Sequence, residues 1–172
     1  AAQTVGRMFK RPGIKNPLSV AIVTLGVIAA AALPAQARKN VVATIGQIGE
    51  PLTEIAAGKV NIITLMGEGV DPHLYRLTRS DVAKINGADL IVYNGLHLEA
   101  QMLDMLDRYS KRKPVIAVGD ALTGKNLLPW DGLSHDPHIW MDPGLWAEAL
   151  QTAVNALARL DPQNAAFYRA NA

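Results

Sequence analysis

Four short, nearly unbroken apolar runs constrain this chain more than any other feature: residues 40–45 (Asn-Val-Val-Ala-Thr-Ile), 60–65 (Val-Asn-Ile-Ile-Thr-Leu), 89–93 (Asp-Leu-Ile-Val-Tyr) and 115–118 (Val-Ile-Ala-Val). Runs this short and this apolar read as strands buried on both faces. Segments of helical spacing separate them. Ile48, Leu52, Ile55 and Ala56 line one stripe of residues 47–58, with Gly58 as a stop. Residues 78–86 form a helix capped by Thr78, with Asp81 at its third position and Val82 and Ile85 facing inward. Residues 96–109 form a longer amphipathic helix that buries Leu96, Met102, Leu103 and Leu106. A further helix follows Asp142-Pro143 and carries Leu145, Ala149, Ala153, Leu157 and Leu160 on one side. Asp161-Pro162 then reads as the cap and first position of a last helix. Alternating strands and helices predict an α/β fold, with a parallel four-stranded sheet and helices on both faces.

The first 37 residues stand apart from this alternation. Arg7, Lys10, Arg11 and Lys15 form a basic start without an acid; an apolar run spans residues 18–33; Pro34 breaks it; and Ala35-Gln36-Ala37 places small residues ahead of a cut. That order is the pattern of an export signal cleaved after Ala37. The apolar run is shorter than the roughly 20 residues a membrane helix needs. Beyond it the chain carries fewer bases than acids, so the basic balance of the whole belongs to the signal. No basic stripe with interleaved aromatics remains, which argues against nucleic acid as a partner. Lys111-Arg112-Lys113 reads as a solvated helix end. With no cysteine, the chain has neither disulfides nor thiolate metal sites.

Chemistry concentrates in two Asp-Pro-His turns, Asp71-Pro72-His73 and Asp136-Pro137-His138. Proline fixes its own φ and keeps the residue before it extended, so each histidine leaves a rigid turn. One turn follows the second strand and the other lies downstream of the fourth. Ligands of a parallel sheet gather at the carboxyl ends of its strands, so His73 and His138 are expected on one edge. Two neutral imidazoles meeting there would suit a borderline divalent metal. Asp71 and Asp136 are placed either to orient the rings or to cap the turns. His135 is expected to point away, and His97 to line the cleft or face solvent. Trp140 and Trp146 read as packing residues, with Trp140 able to wall the site from water.

Enzyme motifs are absent. The chain has no G-x-S-x-G elbow, H-E-x-x-H helix, phosphate-binding loop or dinucleotide fingerprint, and Ser134 beside His135 is adjacency rather than a catalytic geometry. Two other readings stay open on the residues alone. One is a small exported metal-dependent hydrolase on the same histidines; the other is a metal-independent adhesion module.

The segments Gly-Glu-Gly-Val-Asp-Pro-His-Leu-Tyr (67–75), Ser-Asp-Val (80–82), Ala-Asp-Leu-Ile-Val-Tyr-Asn-Gly-Leu-His-Leu-Glu (88–99) and Asp-Pro-His-Ile-Trp-Met-Asp-Pro (136–143) resemble the TroA-like zinc and manganese solute-binding proteins of metal ABC importers. The resemblance runs from about Val41 onward. It implies two α/β lobes joined by a long helix, with a metal held in the cleft between them. It also implies a periplasmic, monomeric carrier that hands Mn(II) or Zn(II) to a membrane ABC permease. His73 and His138 match the two metal ligands of the first lobe; His97 and His135 do not. On this resemblance residues 38–160 are the N-terminal metal-binding lobe, residues 161–172 are the truncated start of the inter-lobe helix, and the remaining ligands belong to a second lobe. Zinc carriers of the group often hold a histidine-rich loop near residues 120–135. Residues 123–133 contain no histidine, which leans the metal toward manganese.

Overall fold

The computed structural model describes residues 37–122, 124, 127–130 and 135–172. Its four strands are β1 (Asn40–Ala43), β2 (Asn61–Thr64), β3 (Leu90–Tyr93) and β4 (Val115–Ala117). They form one parallel sheet in the order β2-β1-β3-β4. Val41, Val42 and Ala43 of β1, and Leu90, Ile91 and Val92 of β3, are all fully buried. Successive strand residues point to opposite faces, so three buried in a row require cover on both sides. The expected sheet, with helices on both faces, is the one observed.

The connections explain how that cover is divided. β1 leads to β2 through α1 (Gly46–Ala56), and β2 leads back over β1 to β3 through α2 (Arg79–Asn86). Parallel crossovers are right-handed, so these opposite directions put α1 on one face and α2 on the other. α3 (Leu103–Ser110), between β3 and β4, continues in the direction of α2. α4 (Pro143–Leu160) and α5 (Ala165–Asn171) pack with α1. The direction of winding therefore reverses between β1 and β3. In doubly wound sheets that switch point opens the ligand crevice at the carboxyl ends of the strands.

Most helical stripes are the ones the spacing predicts. Ile48, Leu52, Ile55 and Ala56 are buried on α1, and Ala149, Ala153 and Leu157 on α4. α1 lies close to β2 at Gly49, where an added Cβ would stand 2.0 Å from Thr64 Oγ1. Asp142 caps α4, accepting from the backbone N–H of Gly144 and Leu145 ahead of Pro143 at the first turn.

Four expectations need correction. On α2 the inward residue is Asp81 rather than Val82, which is 38% exposed. Asp81 is drawn in by the capping box with Thr78 and by the phenol of Tyr75, which donates to its Oδ2. Burial alone would raise the Asp81 carboxyl, but the hydrogen bonds from Thr78, Tyr75 and Lys84 outweigh it and hold it at about 2. The helix expected over residues 96–109 begins late. Leu96 and His97 have φ of 51° and 64°, and a 3-10 turn at Ala100–Met102 precedes α3. Leu98 takes the buried place expected of Leu96. Lys113 is not a solvated end: its Nζ donates to the carbonyls of Ile85, Asn86 and Ala88 and closes the C-terminus of α2. The final helix opens with a 3-10 turn at Pro162–Asn164, and the Asp161 side chain accepts from Asn164 Nδ2 and the Tyr168 phenol instead of capping the backbone.

The segment expected to be an export signal lies, apart from Ala37, outside the described residues, as does most of the loop at 123–134. Among the described residues no helix is long and apolar enough to cross a membrane.

Candidate metal centre

Each Asp-Pro-His turn is built locally and in the same way. The Asp71 carboxylate accepts the backbone N–H of His73 at 2.9 Å, and the Asp136 carboxylate accepts that of His138 at 2.9 Å. An aspartate bonding the backbone two residues ahead is an Asx turn, and the intervening proline suits it because it has no N–H of its own to satisfy. Asp136 does more: its Oδ1 also meets His138 Nδ1 at 2.6 Å. That contact places the ring proton on Nδ1 and turns the Nε2 lone pair outward. Burial alone would raise the Asp136 carboxyl; the bonds from the His138 backbone and ring, with both imidazoles nearby, bring it below its ordinary value.

Tertiary folding then joins the turns. Nε2 of His73 and Nε2 of His138 lie 3.2 Å apart, with ring centroids at 5.2 Å and planes tilted by 56°. A tetrahedral ion with metal–nitrogen bonds of about 2.0–2.1 Å holds two nitrogens about 3.3–3.4 Å apart, and right-angled ligands at that bond length about 2.8–3.0 Å apart. The observed separation lies between the two. Among the described residues no third histidine, cysteine or carboxylate joins the pair into a metal-holding group. Two imidazoles fill half of a four-coordinate shell.

Aromatic rings surround His138. Trp130 lies 5.2 Å from it and Trp140 5.3 Å, centroid to centroid, with Trp146 behind Trp140 at 6.5 Å. Trp140 packs against the core beside His138, where the sequence expected a packing residue. Trp130 was not legible in the sequence, because it sits in an irregular loop with no periodicity to aim it.

The other two histidines go elsewhere. His97 and His135 share a cavity of about 330 Å³ with Tyr93, Leu103 and Asp120. Burial pushes the Tyr93 phenol up, with the Asp120 and Glu99 carboxylates adding to the effect. That cavity is lined by neither His73 nor His138, and among the described residues neither His97 nor His135 joins them in a metal-holding group.

Beneath the pair lies a polar cluster that spacing does not disclose. Glu99 is completely buried. Its Oε1 accepts from the Thr44 hydroxyl at 2.6 Å and the Asn94 N–H at 2.8 Å, and its Oε2 from the Gly95 N–H at 3.2 Å. Burial pushes its carboxyl up against the pull of these donors. Asn94, also fully buried, donates from Nδ2 to the carbonyls of Gly95 at 3.1 Å and Pro137 at 3.0 Å. Its Oδ1 finds no hydrogen-bond partner among the described residues, a desolvation cost of about 1–3 kcal/mol. In the sequence Asn94-Gly95 reads only as a turn and Glu99 only as the end of a motif.

Comparison with known proteins places the fold and the family. Residues 41–172 match the family described as ZnuA, zinc-uptake complex component A, periplasmic. The manganese-binding lipoprotein MntA of Bacillus subtilis (strain 168) is 37% identical over 134 residues, which cover 77% of this chain and 44% of that protein. The zinc-binding protein TroA of Treponema pallidum (strain Nichols) is 39% identical over 128 residues, 74% of this chain and 42% of that protein. The solved structure of the periplasmic zinc-binding protein TroA from Treponema pallidum superimposes with a TM-score of 0.75 at 36% identity, covering 78% of this chain and 48% of that one. The chain spans about half the length of the curated relatives it matches.

Proposed function

The chain belongs to the family of periplasmic zinc-uptake component A proteins, and from that membership we propose that it captures Mn(II) or Zn(II) outside the cytoplasm and delivers it to the membrane permease of an ABC importer. The observation that carries the reading is the meeting of the His73 and His138 Nε2 atoms at the carboxyl edge of the sheet. In this reading residues 38–160 form one lobe of a two-lobed carrier, and the two imidazoles are its share of the ligands. The positions they leave open are taken by a second lobe or by water.

The chemistry is capture without turnover. Neutral imidazoles donate lone pairs, Asp136 keeps the His138 proton on Nδ1, and the tryptophans limit water around the rings. Because protons compete for the same nitrogens, acid releases the metal. The family is one of substrate-binding transport proteins, and the comparisons lend no support to the hydrolase or adhesion readings.

Calorimetric titration of the chelator-stripped chain with Mn(II) and with Zn(II) tests the proposal. One ion per chain is the expected stoichiometry, and absence of binding by either metal overturns it.

A further inference from the structure

We infer that Asn94 is a positioning residue for metal capture: its buried amide holds the Pro137 carbonyl and thereby sets where the His138 imidazole stands. The inference rests on the reading of His73 and His138 as metal ligands.

The argument starts at the strand ends. Thr44 and Asn94 are the first residues beyond β1 and β3, the neighbouring central strands on either side of the switch point. The Glu99 carboxylate binds both, together with Gly95, and so clamps the two exits into one platform. The clamp also accounts for the left-handed φ of Gly95, Leu96 and His97, since the chain must double back to bring Glu99 beneath the strand it has just left. From this platform Asn94 reaches across 43 residues to Pro137.

What it grips is the peptide unit between Pro137 and His138. That unit is planar, with its oxygen and its N–H on opposite edges. Asn94 Nδ2 takes the oxygen at 3.0 Å and Asp136 Oδ1 takes the N–H at 2.9 Å. Bonds on both edges fix the plane and with it the His138 N–Cα bond, and the His138 φ of −81° then directs the Cα–Cβ bond toward the pair. The Asp136 contact to Nδ1 then sets the rotation of the ring. Both Nδ2 hydrogens of Asn94 are committed to carbonyls, so its amide cannot flip without facing Oδ1 toward two acceptors.

Substitution by leucine separates this role from simple core filling. Asn94→Leu keeps the branched shape and the number of heavy atoms, and removes the grip on Pro137 together with the unpartnered Oδ1. The experiment loads the 172-residue chain and its variants with Co(II), whose visible d–d bands report coordination geometry, and measures affinity by titration and the melting temperature without metal. For Asn94→Leu we expect a metal-free melting temperature within a few degrees of the parent, Co(II) affinity lower by about 10–100-fold, and a changed band. If the leucine variant does not fold, Asn94→Ser, with a side chain too short to reach Pro137, is held to the same expectation. Unchanged affinity and band overturn the inference, as does weaker binding with an unchanged band, which would make Asn94 structural only. His138→Ala separates the two readings. If that variant binds Co(II) like the parent, the assigned ligand pair is wrong; if it loses binding while the Asn94 variants do not, the positioning role alone fails.

Discussion

His73 and His138 are 65 residues apart in the chain, and their Nε2 atoms stand 3.2 Å apart in the fold. Neither ring is sealed away: both are half-buried, open enough for an ion to enter and held enough to stay aimed. The arrangement brings two nitrogen donors to one point.

Removing either ring should therefore remove most of the binding. His73→Ala and His138→Ala are each expected to weaken Mn(II) and Zn(II) binding by more than the roughly 10–100-fold that loss of an outer hydrogen-bond partner costs. Calorimetry measures this directly, and parent-like affinity in both variants would dismantle the site. The Trp130 and Trp140 rings lie within 5.3 Å of the His138 centroid, so tryptophan fluorescence should change on titration in the parent and stay flat in the variants.

Acid should destabilise the fold through Asp81. Its folded carboxyl sits at about 2, below the ordinary value near 3.9, so the folded state holds that proton less tightly than the unfolded chain. The resulting stability, about 2 kcal/mol, is fully present above pH 4 and is lost as pH falls through 2. Urea midpoints at pH 5 and pH 2.5 should differ more in the parent than in Asp81→Asn; equal differences would contradict the linkage.

The contact between α1 and β2 leaves no room for a methyl group. Gly49→Ala should destabilise the fold by about 1–3 kcal/mol, because the new Cβ meets Thr64 Oγ1 and the stiff threonine cannot rotate clear on its own. Adding Thr64→Ala should recover part of the loss in thermal unfolding. Strict additivity of the two changes would show that the helix simply moves away.

Tyr168 is fully buried and donates its phenol to Asp161, while burial followed by that carboxylate pushes the phenol well above its usual range. Tyr168→Phe should cost about 2 kcal/mol, since a bond to a charged acceptor is lost and, among the described residues, Asn164 is left as the side-chain donor to the aspartate. Chemical denaturation reads the change, and an effect within error would mean that water replaces the phenol.

What the sequence determined by itself is whatever contacts close in sequence can enforce. Runs such as Val41-Val42-Ala43 and Leu90-Ile91-Val92 had to be two-sided strands, because an apolar residue at every position leaves no face for water. The stripe of Ile48, Leu52 and Ile55 had to be one side of a helix, and Asp71 and Asp136 had to fold their turns, since each bonds a backbone only two residues away. Tertiary structure decided the rest. Strand order put His73 beside His138, Lys113 on the end of α2, and Glu99 under Thr44 and Asn94. These pairings exchange water for donors and acceptors brought from distant segments. No local pattern records such an exchange, because its free energy exists only once the sheet has chosen which strand exits lie side by side.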